Sequence, residues 1–516
     1  MSIKGIQQNV QIGELMKDFV EQTVQFYNTL DVQPVYRPAS KAIYKCMEEQ
    51  SIPAYGRPVQ DVYSEMLQNI YTHAFLAQHP RSFACIPSTA SLLSWMGDVM
   101  TNAYNPHASC RINAPIADLV EKKLIRWMCS LAGYPEKSGG LFVSGGSIAN
   151  LTALAAARDC KLTYNERNQA VVYVSEQTHS SVTKGLLMIG FCKEQIRVIP
   201  TDSRFRMDIN RLRESIGKDL LEHRKPFAVI ASAGTTNTGS IDPLMDISKI
   251  CHKYGMWMHV DGAFGASALL SEQLKDELSG IEYSDSLSWD AHKWMLQTYG
   301  CSAVLVRDES VLIKSFASHP EYLKDSEIYP GSIEFWDLGP ELTRPARGLK
   351  LWLTLQVMGS RKMGKIIEHG CALANFTEML LRERPKWEII SPAQLGIVNF
   401  RYVPDVHANS HDIDTINSEI SRKITNSGFA QIFTTELRGK KVLRMCTINP
   451  ETTQKDIRGT VKELERFART FLILLLFPFF NLHFSSDIVT EKCVLAKAAG
   501  GSKIGSRKDK CEERMG

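Results

Sequence analysis

The sequence predicts an α/β protein with a mostly parallel central sheet, an N-terminal helical segment and a small C-terminal α+β domain. Two observations carry that prediction. Between Leu141 and Arg307, short β-rich runs at 171–174, 197–199, 227–231, 257–260 and 303–306 alternate with helix-length segments. This is the pattern of right-handed β-α-β crossovers, which cover a parallel sheet on both faces. Outside that region the texture changes to helix-period apolar spacing on the N-terminal side and to fewer, separated strand signals on the C-terminal side.

Taken in order, residues 1–80 place Leu15, Phe19, Val24 and Tyr27 at helical spacing and are then broken by Pro34, Pro38, Pro53 and Pro58. Helices joined by extended segments follow from that pattern. Residues 81–360 form the large α/β domain, closed by a long linking helix over 338–357. The runs 400–403 and 442–447 are strands of the C-terminal domain, 361–470. The remaining segment, 471–516, opens with FLILLLFPFFNLHF, apolar but interrupted by Pro478. It is shorter than the roughly 20 residues a spanning helix needs, so a membrane anchor is not expected. The basic, glycine-rich end reads as a disordered tail, or equally as the product of an aberrant gene model that folds with nothing.

Composition narrows the function. Over 516 residues, 44% are hydrophobic and 22% charged, which excludes wholesale disorder, collagen-like repeats and a polytopic membrane protein. The net charge of +4 is too small for an electrostatic nucleic-acid binder, leaving a small-molecule partner. The 12 cysteines include no C-x-x-C, so no zinc ribbon, redox pair or other metal site is expected. The N-terminus lacks the apolar core of a secretory signal, and reduced thiols in the cytoplasm follow.

Four segments carry the chemistry. Ser144-Gly145-Gly146-Ser147 separates an apolar run from an alanine- and leucine-rich helix, and a glycine turn at a helix N-terminus offers free N–H groups to a phosphate. Thr178-His179-Ser180-Ser181 puts a flat ring at the carboxyl end of a strand, where open α/β sheets bind ligands. In His259-Val260-Asp261-Gly262-Ala263 a carboxylate follows an apolar strand, with small residues beside it to admit a ring. Asp290-Ala291-His292-Lys293-Trp294 surrounds a lysine with apolar and aromatic neighbours that favour its uncharged, nucleophilic form. Taken singly, each has an ordinary structural reading: a helix cap, a core histidine, another cap, a surface lysine. Together they supply every contact that pyridoxal phosphate needs.

The segments SGGSIANLTAL, EQTHSSVTKG, AGTTNTGSID, HVDGAFGAS and DAHKWMLQTYGCS strongly resemble the group II pyridoxal-phosphate decarboxylases, among them the aromatic-amino-acid, glutamate and cysteine-sulfinate decarboxylases. The resemblance extends from about Tyr55 to Phe467. It implies the fold type I, aspartate-aminotransferase-like architecture, and a homodimer with active sites at the subunit interface. By motif position it implies that Lys293 carries the cofactor, Asp261 partners the ring nitrogen, His179 stacks on the ring and Ala263 lies on the opposite face. Gly146, Ser147 and His292 match phosphate-side positions, and Thr235 falls in the turn below the ring. Tyr322, in HPEYLK, matches the loop tyrosine that returns a proton to Cα.

The substrate is expected to be an aromatic L-amino acid, released as the amine and carbon dioxide. The segment Arg81-Ser82-Phe83-Ala84-Cys85-Ile86-Pro87 resembles the family's substrate-pocket segment, and Phe83, Ile86 and Pro87 offer an apolar wall. Arg444 occupies a position that binds a substrate carboxylate in the family, although a surface ion pair explains it as well. Arg81 keeps an acidic substrate (glutamate, aspartate or cysteine sulfinate) open as an alternative. Two further alternatives are decarboxylation coupled to oxidative deamination, which gives an aldehyde, and a non-catalytic relative.

Overall fold

The computed structural model describes residues 3–86, 89–318, 333–404 and 409–476. Met1–Phe467 forms one compact unit and Ala468–Gly516 a second, of which only the end of the last helix is described.

Eleven strands follow the chain: β1 (Gly139–Val143), β2 (Ala170–Ser175), β3 (Ile196–Ile199), β4 (Lys225–Ser232), β5 (Trp257–Asp261), β6 (Ser286–Asp290), β7 (Ser302–Val306), β8 (Trp387–Gln394), β9 (Ile397–Tyr402), β10 (Phe433–Leu437) and β11 (Lys440–Cys446). The first seven make one sheet in the order β1-β7-β6-β5-β4-β2-β3. It is parallel from β3 to β6, while β7 runs antiparallel to both β6 and β1. β2 (AVVYVS) and β5 are buried at every position, as strands covered on both faces must be. β1 approaches β7 so closely at Gly140 that a Cβ there would lie 2.0 Å from the Val304 carbonyl oxygen, which leaves room only for glycine. The helix Gly146–Lys161 seats Ala149, Ala153 and Ala156 against Leu141, Val143, Val304 and Val306, its small side chains allowing close approach to the sheet.

β6 is a strand that the sequence pattern did not suggest. Its residues alternate strictly as Ser, Leu, Ser, Trp, Asp, yet all five are buried. Leu287 and Trp289 enter the main hydrophobic core, whereas Ser286 and Ser288 turn to polar partners on β5. The expected linking helix over 338–357 is shorter, Leu349–Met358. Residues 338–348 carry Pro340 and Pro345, which disfavour helix at the preceding residue, and Arg344 is locked into the core by a 2.5 Å pair with Glu121. Gly359 (φ 77°) then separates that helix from the longer Ser360–Arg382.

The C-terminal part holds an antiparallel sheet in the order β10-β11-β9-β8, in which β9 and β11 overlap the expected strands at 400–403 and 442–447, each ending one residue earlier. The last helix, Gln454–Leu476, runs past the expected end near Thr470, because the Leu/Ile/Phe run that follows has no helix breaker before Pro478. Residues 477–516, assigned above to a tail, lie outside the described residues. Among the described residues no helix is long and apolar enough to cross a membrane.

One buried histidine links folding to pH. His79 is fully buried, its Nε2 donating to the Gln33 carbonyl at 3.0 Å and its Nδ1 accepting from the Arg81 amide at 2.9 Å. Burial first, and the Arg81 cation second, push its pKa down to about 4. The unfolded chain takes up this proton near its ordinary pKa of about 6.5 and the native protein does not. The contribution to stability is therefore complete above about pH 6.5 and is lost as pH falls towards about 4. In melting curves the wild type is expected to lose thermal stability relative to His79→Gln over that interval. Parallel curves would remove His79 as the source.

Candidate active site

A cavity of about 460 Å³ opens where the carboxyl ends of β2, β4, β5 and β6 meet the turn after β1. This is where ligands bind in open α/β sheets. Each wall is built by a strand end and the turn that leaves it.

After β1, Ser144 and Gly145 lead into the helix Gly146–Lys161, whose N-cap, Gly145, has no capping side chain. The first N–H groups of a 16-residue helix are therefore left for an anion. A Cβ on Gly146 would come within 2.8 Å of Asp290 Oδ2 and would displace that carboxylate, so glycine suits the point where turn and lysine segment meet. After β6, Asp290 Oδ2 lies 3.0 Å from Lys293 Nζ and 3.6 Å from His292 Nε2. Asp290 Oδ1 is buried with no hydrogen-bond partner in the described structure. His292 shares its Nδ1 with the Cys301 carbonyl and Ser302 Oγ, both at 3.2 Å, and burial holds its pKa below the usual range, keeping the ring neutral.

Asp261 ends β5 and is buried. Its Oδ1 accepts from Ser288 Oγ and from the Ala263 amide, both at 3.2 Å, and its Oδ2 accepts from Asn150 Nδ2 at 3.1 Å. Three donors thus satisfy this buried carboxylate. His179, after β2, caps the helix Ser180–Met188: its Nδ1 accepts from the Ser181 amide at 3.2 Å and lies 2.8 Å from Ser181 Oγ. Thr235, after β4, is buried with its Oγ1 2.7 Å from Thr238 Oγ1. Ala263 lines the cavity beside Phe264, which stacks on Trp294 with ring centroids 4.7 Å apart.

The cavity thus brings together Gly146, Ser147, His179, Thr235, Asp261, Ala263, His292 and Lys293, with Ile86 and Arg444 on its wall. Phe83 is a correction. It is fully buried and does not line the cavity; its amide donates to the Gln431 carbonyl and its carbonyl accepts from the Cys446 amide. Pro87 and Tyr322 lie outside the described residues. The structure adds Cys85, Asn150, Gln177, Asp290 and Tyr299 to the lining. Of these, Asn150 carried one sequence signal, a lone amide in an otherwise alanine- and leucine-rich helix face.

These residues fit pyridoxal phosphate: an uncapped helix N-terminus for the phosphate, a buried carboxylate for the ring nitrogen, an imidazole and an alanine for the two ring faces, and a lysine at the edge. Residues 43–403 match the pyridoxal-dependent decarboxylase conserved domain. The aromatic-L-amino-acid decarboxylase of Bacillus atrophaeus is 38% identical over 450 residues, 87% of this chain and 94% of that protein. The phenylacetaldehyde synthase of Arabidopsis thaliana is 30% identical over 468 residues, 88% and 95% of the two chains. The crystal structure of Oryza sativa TDC with PLP and tryptamine superimposes with a TM-score of 0.84 at 26% identity, covering 89% of this chain and 98% of that one. Match and geometry agree along the same stretch, and the chain belongs to the pyridoxal-dependent decarboxylase family, with pyridoxal phosphate as its cofactor.

Proposed function

We propose that this chain decarboxylates an aromatic L-amino acid to the corresponding amine and carbon dioxide. The observation that carries the choice of substrate is the fate of Arg81. Its Nε donates to the Phe429 carbonyl at 2.8 Å, its Nη1 pairs with Asp456 at 3.4 Å and its guanidinium lies over the Phe429 ring, away from the cavity. Among the described residues lining the cavity, the only lysine and arginine are Lys293 and Arg444. Arg444 is held by the carbonyls of Thr236 and Ala84, at 2.9 and 2.7 Å, and its Nε is buried with no partner among the described residues. One guanidinium serves one carboxylate, the α-carboxylate, and none is left for an acidic side chain. Cys85, Ile86, Phe264 and Tyr299 supply the wall against which a ring packs.

When bound, pyridoxal phosphate supplies the sink for the electron pair left at Cα as carbon dioxide departs. The roles assigned to the protein's own groups follow. Lys293 would hold the cofactor covalently. Asp261 would keep the ring nitrogen protonated, His179 and Ala263 would lie against the two ring faces, and Gly146, Ser147 and His292 would receive the phosphate. Thr235 supports the ring from below. Tyr322 returns a proton to Cα. The same reading takes the chain as a cytoplasmic homodimer divided at 1–80, 81–360 and 361–470. Support comes from exposed apolar residues on two helices, Met16 and Val20 on Ile3–Asn28 and Met96 and Met100 on Leu92–Tyr104, and from the ten described cysteines all being free. The sheets on either side of residue 360 support the division.

The test is kcat/KM for phenylalanine, tyrosine and tryptophan against glutamate, aspartate and cysteine sulfinate, with the amine quantified. An advantage of at least about 100-fold for an aromatic substrate is expected, since an unpaired side-chain carboxylate is costly to bury. A preference for glutamate would overturn the reading. Similarity to a phenylacetaldehyde synthase makes aldehyde formation the second reading. Tyr322→Phe removes the proton donor, so amine yield is expected to fall at least about 100-fold. Oxygen uptake, aldehyde, ammonia and peroxide should appear in its place. An unchanged amine yield would transfer the acid role to His179.

A further inference from the structure

We propose that Asn150 is a positioning residue for this reaction, its side-chain amide tying the Asp261 carboxylate and the His179 ring into one directed hydrogen-bond chain. The inference rests on the roles given above to Asp261 and His179.

The direction of the bonds in the chain is set from its carboxylate end. Trp257 Nε1 is only a donor and gives its hydrogen to Ser286 Oγ at 2.8 Å, which leaves the Ser286 hydroxyl its own hydrogen to donate to His259 Nδ1 at 2.8 Å. At the other end, the Asp261 carboxylate only accepts. Asn150 must therefore turn its NH₂ towards Asp261 Oδ2, at 3.1 Å, which places its carbonyl Oδ1 3.0 Å from His259 Nε2. His259 then carries its single proton on Nε2 and donates it to Asn150. Its complete burial, which holds its pKa well below the usual histidine range, agrees with a neutral ring. The second Asn150 hydrogen goes to Ser181 Oγ at 3.1 Å, leaving that hydroxyl to donate to His179 Nδ1 at 2.8 Å. The Ser181 amide donates to the same nitrogen, so the His179 proton sits on Nε2.

Asn150 is 1% exposed and is the branch point: one amide hydrogen serves the carboxylate and the other serves the histidine. The β5–β6 register, which pairs His259 with Ser286 and Asp261 with Ser288, fixes the anchor behind it. Without the amide, Asp261 Oδ2 has no other donor among the described residues, and that arm of the carboxylate is no longer held. Ser181 Oγ loses the bond that orients its hydrogen towards His179.

Asn150→Leu keeps the volume and removes both functions. Expected are a fall in kcat of about 10- to 100-fold with KM within about threefold, the loss of a buried charge-assisted bond. Cofactor affinity by equilibrium dialysis should weaken, and the visible circular dichroism of the bound cofactor should change as its ring loses alignment. Ser181→Ala cuts only the histidine branch and should cost less than about fivefold. Asn150→Asp keeps the acceptor for His259 but not the donor, and serves where Asn150→Leu does not accumulate as folded protein; it should fall as far in kcat. Wild-type kcat and circular dichroism in a folded Asn150 variant, with only its melting temperature lowered, would overturn the proposal. Asp261→Asn run alongside separates the layers. If it is crippled while the Asn150 variants are not, the positioning role alone fails; if it is unaffected, the reading of the site fails and the proposal with it.

Discussion

Lys293→Ala is expected to abolish turnover, by about four orders of magnitude or more, because the group that carries the cofactor covalently is gone. The variant should still take up cofactor through the uncapped helix N-terminus and the groups around the ring, since those contacts belong to other elements. A structural cost accompanies the chemical one. Asp290 is 2% exposed at its side chain, pairs with Lys293 at 3.0 Å and has one oxygen without a partner among the described residues, so removing the lysine side chain leaves a buried carboxylate poorly compensated. The melting temperature of the cofactor-free variant should accordingly lie below that of the cofactor-free wild type. Borohydride reduction of the wild-type holoenzyme followed by peptide mapping checks the assignment. The reduced pyridoxyl group should be found on Lys293, and its recovery on another lysine would sink the role given to this residue.

Asp261→Asn is the second large effect, expected to lower kcat by at least about 100-fold while changing KM little. The site gives this side chain three donors, Ser288 Oγ, the Ala263 amide and Asn150 Nδ2, and no acceptor. A carboxylate satisfies all three. An amide presents an NH₂ to at least one of them, so the substitution removes the charge facing the ring nitrogen and also sets donor against donor in a buried place. Loss of the carboxylate proposed to keep the ring nitrogen protonated, and with it the electron sink, is expected to cost on the order of 10²–10³ in rate. Single-turnover rates with cofactor saturating separate this from weaker cofactor binding. Near-normal single-turnover rates would remove the electron-sink partner from Asp261.

Much of the site was legible because each motif is local. A glycine turn before a helix, an aspartate after an apolar strand and a lysine after an aspartate and a histidine are short patterns whose chemistry depends on the residues beside them. The apolar runs of β2, β4 and β5 marked the sheet for the same reason, since a strand covered on both faces must be apolar throughout. β6 escaped notice where function intrudes on that rule. Its serines face His259 and Asp261 instead of core, so the strand is buried without looking apolar.

What only the tertiary structure decided is which side chains meet across long stretches of chain. In sequence, Arg81 and Arg444 are two arginines near pocket-like segments. In the fold, Asp456, 375 residues away from Arg81, and the Phe429 carbonyl draw Arg81 out of the site, and Arg444 alone remains on the cavity wall. Asn150 is a single amide in a helix until the chain brings Asp261, 111 positions on, within 3.1 Å of it. Sequence by itself determined the fold class, the cofactor and most of the residues that line the cavity, because backbone pattern and local chemistry are properties of neighbours in the chain. The choice between two arginines, and the orientation of an aspartate and a histidine through a shared amide, depend on burial and hydrogen-bond direction, which exist only once distant segments have packed together.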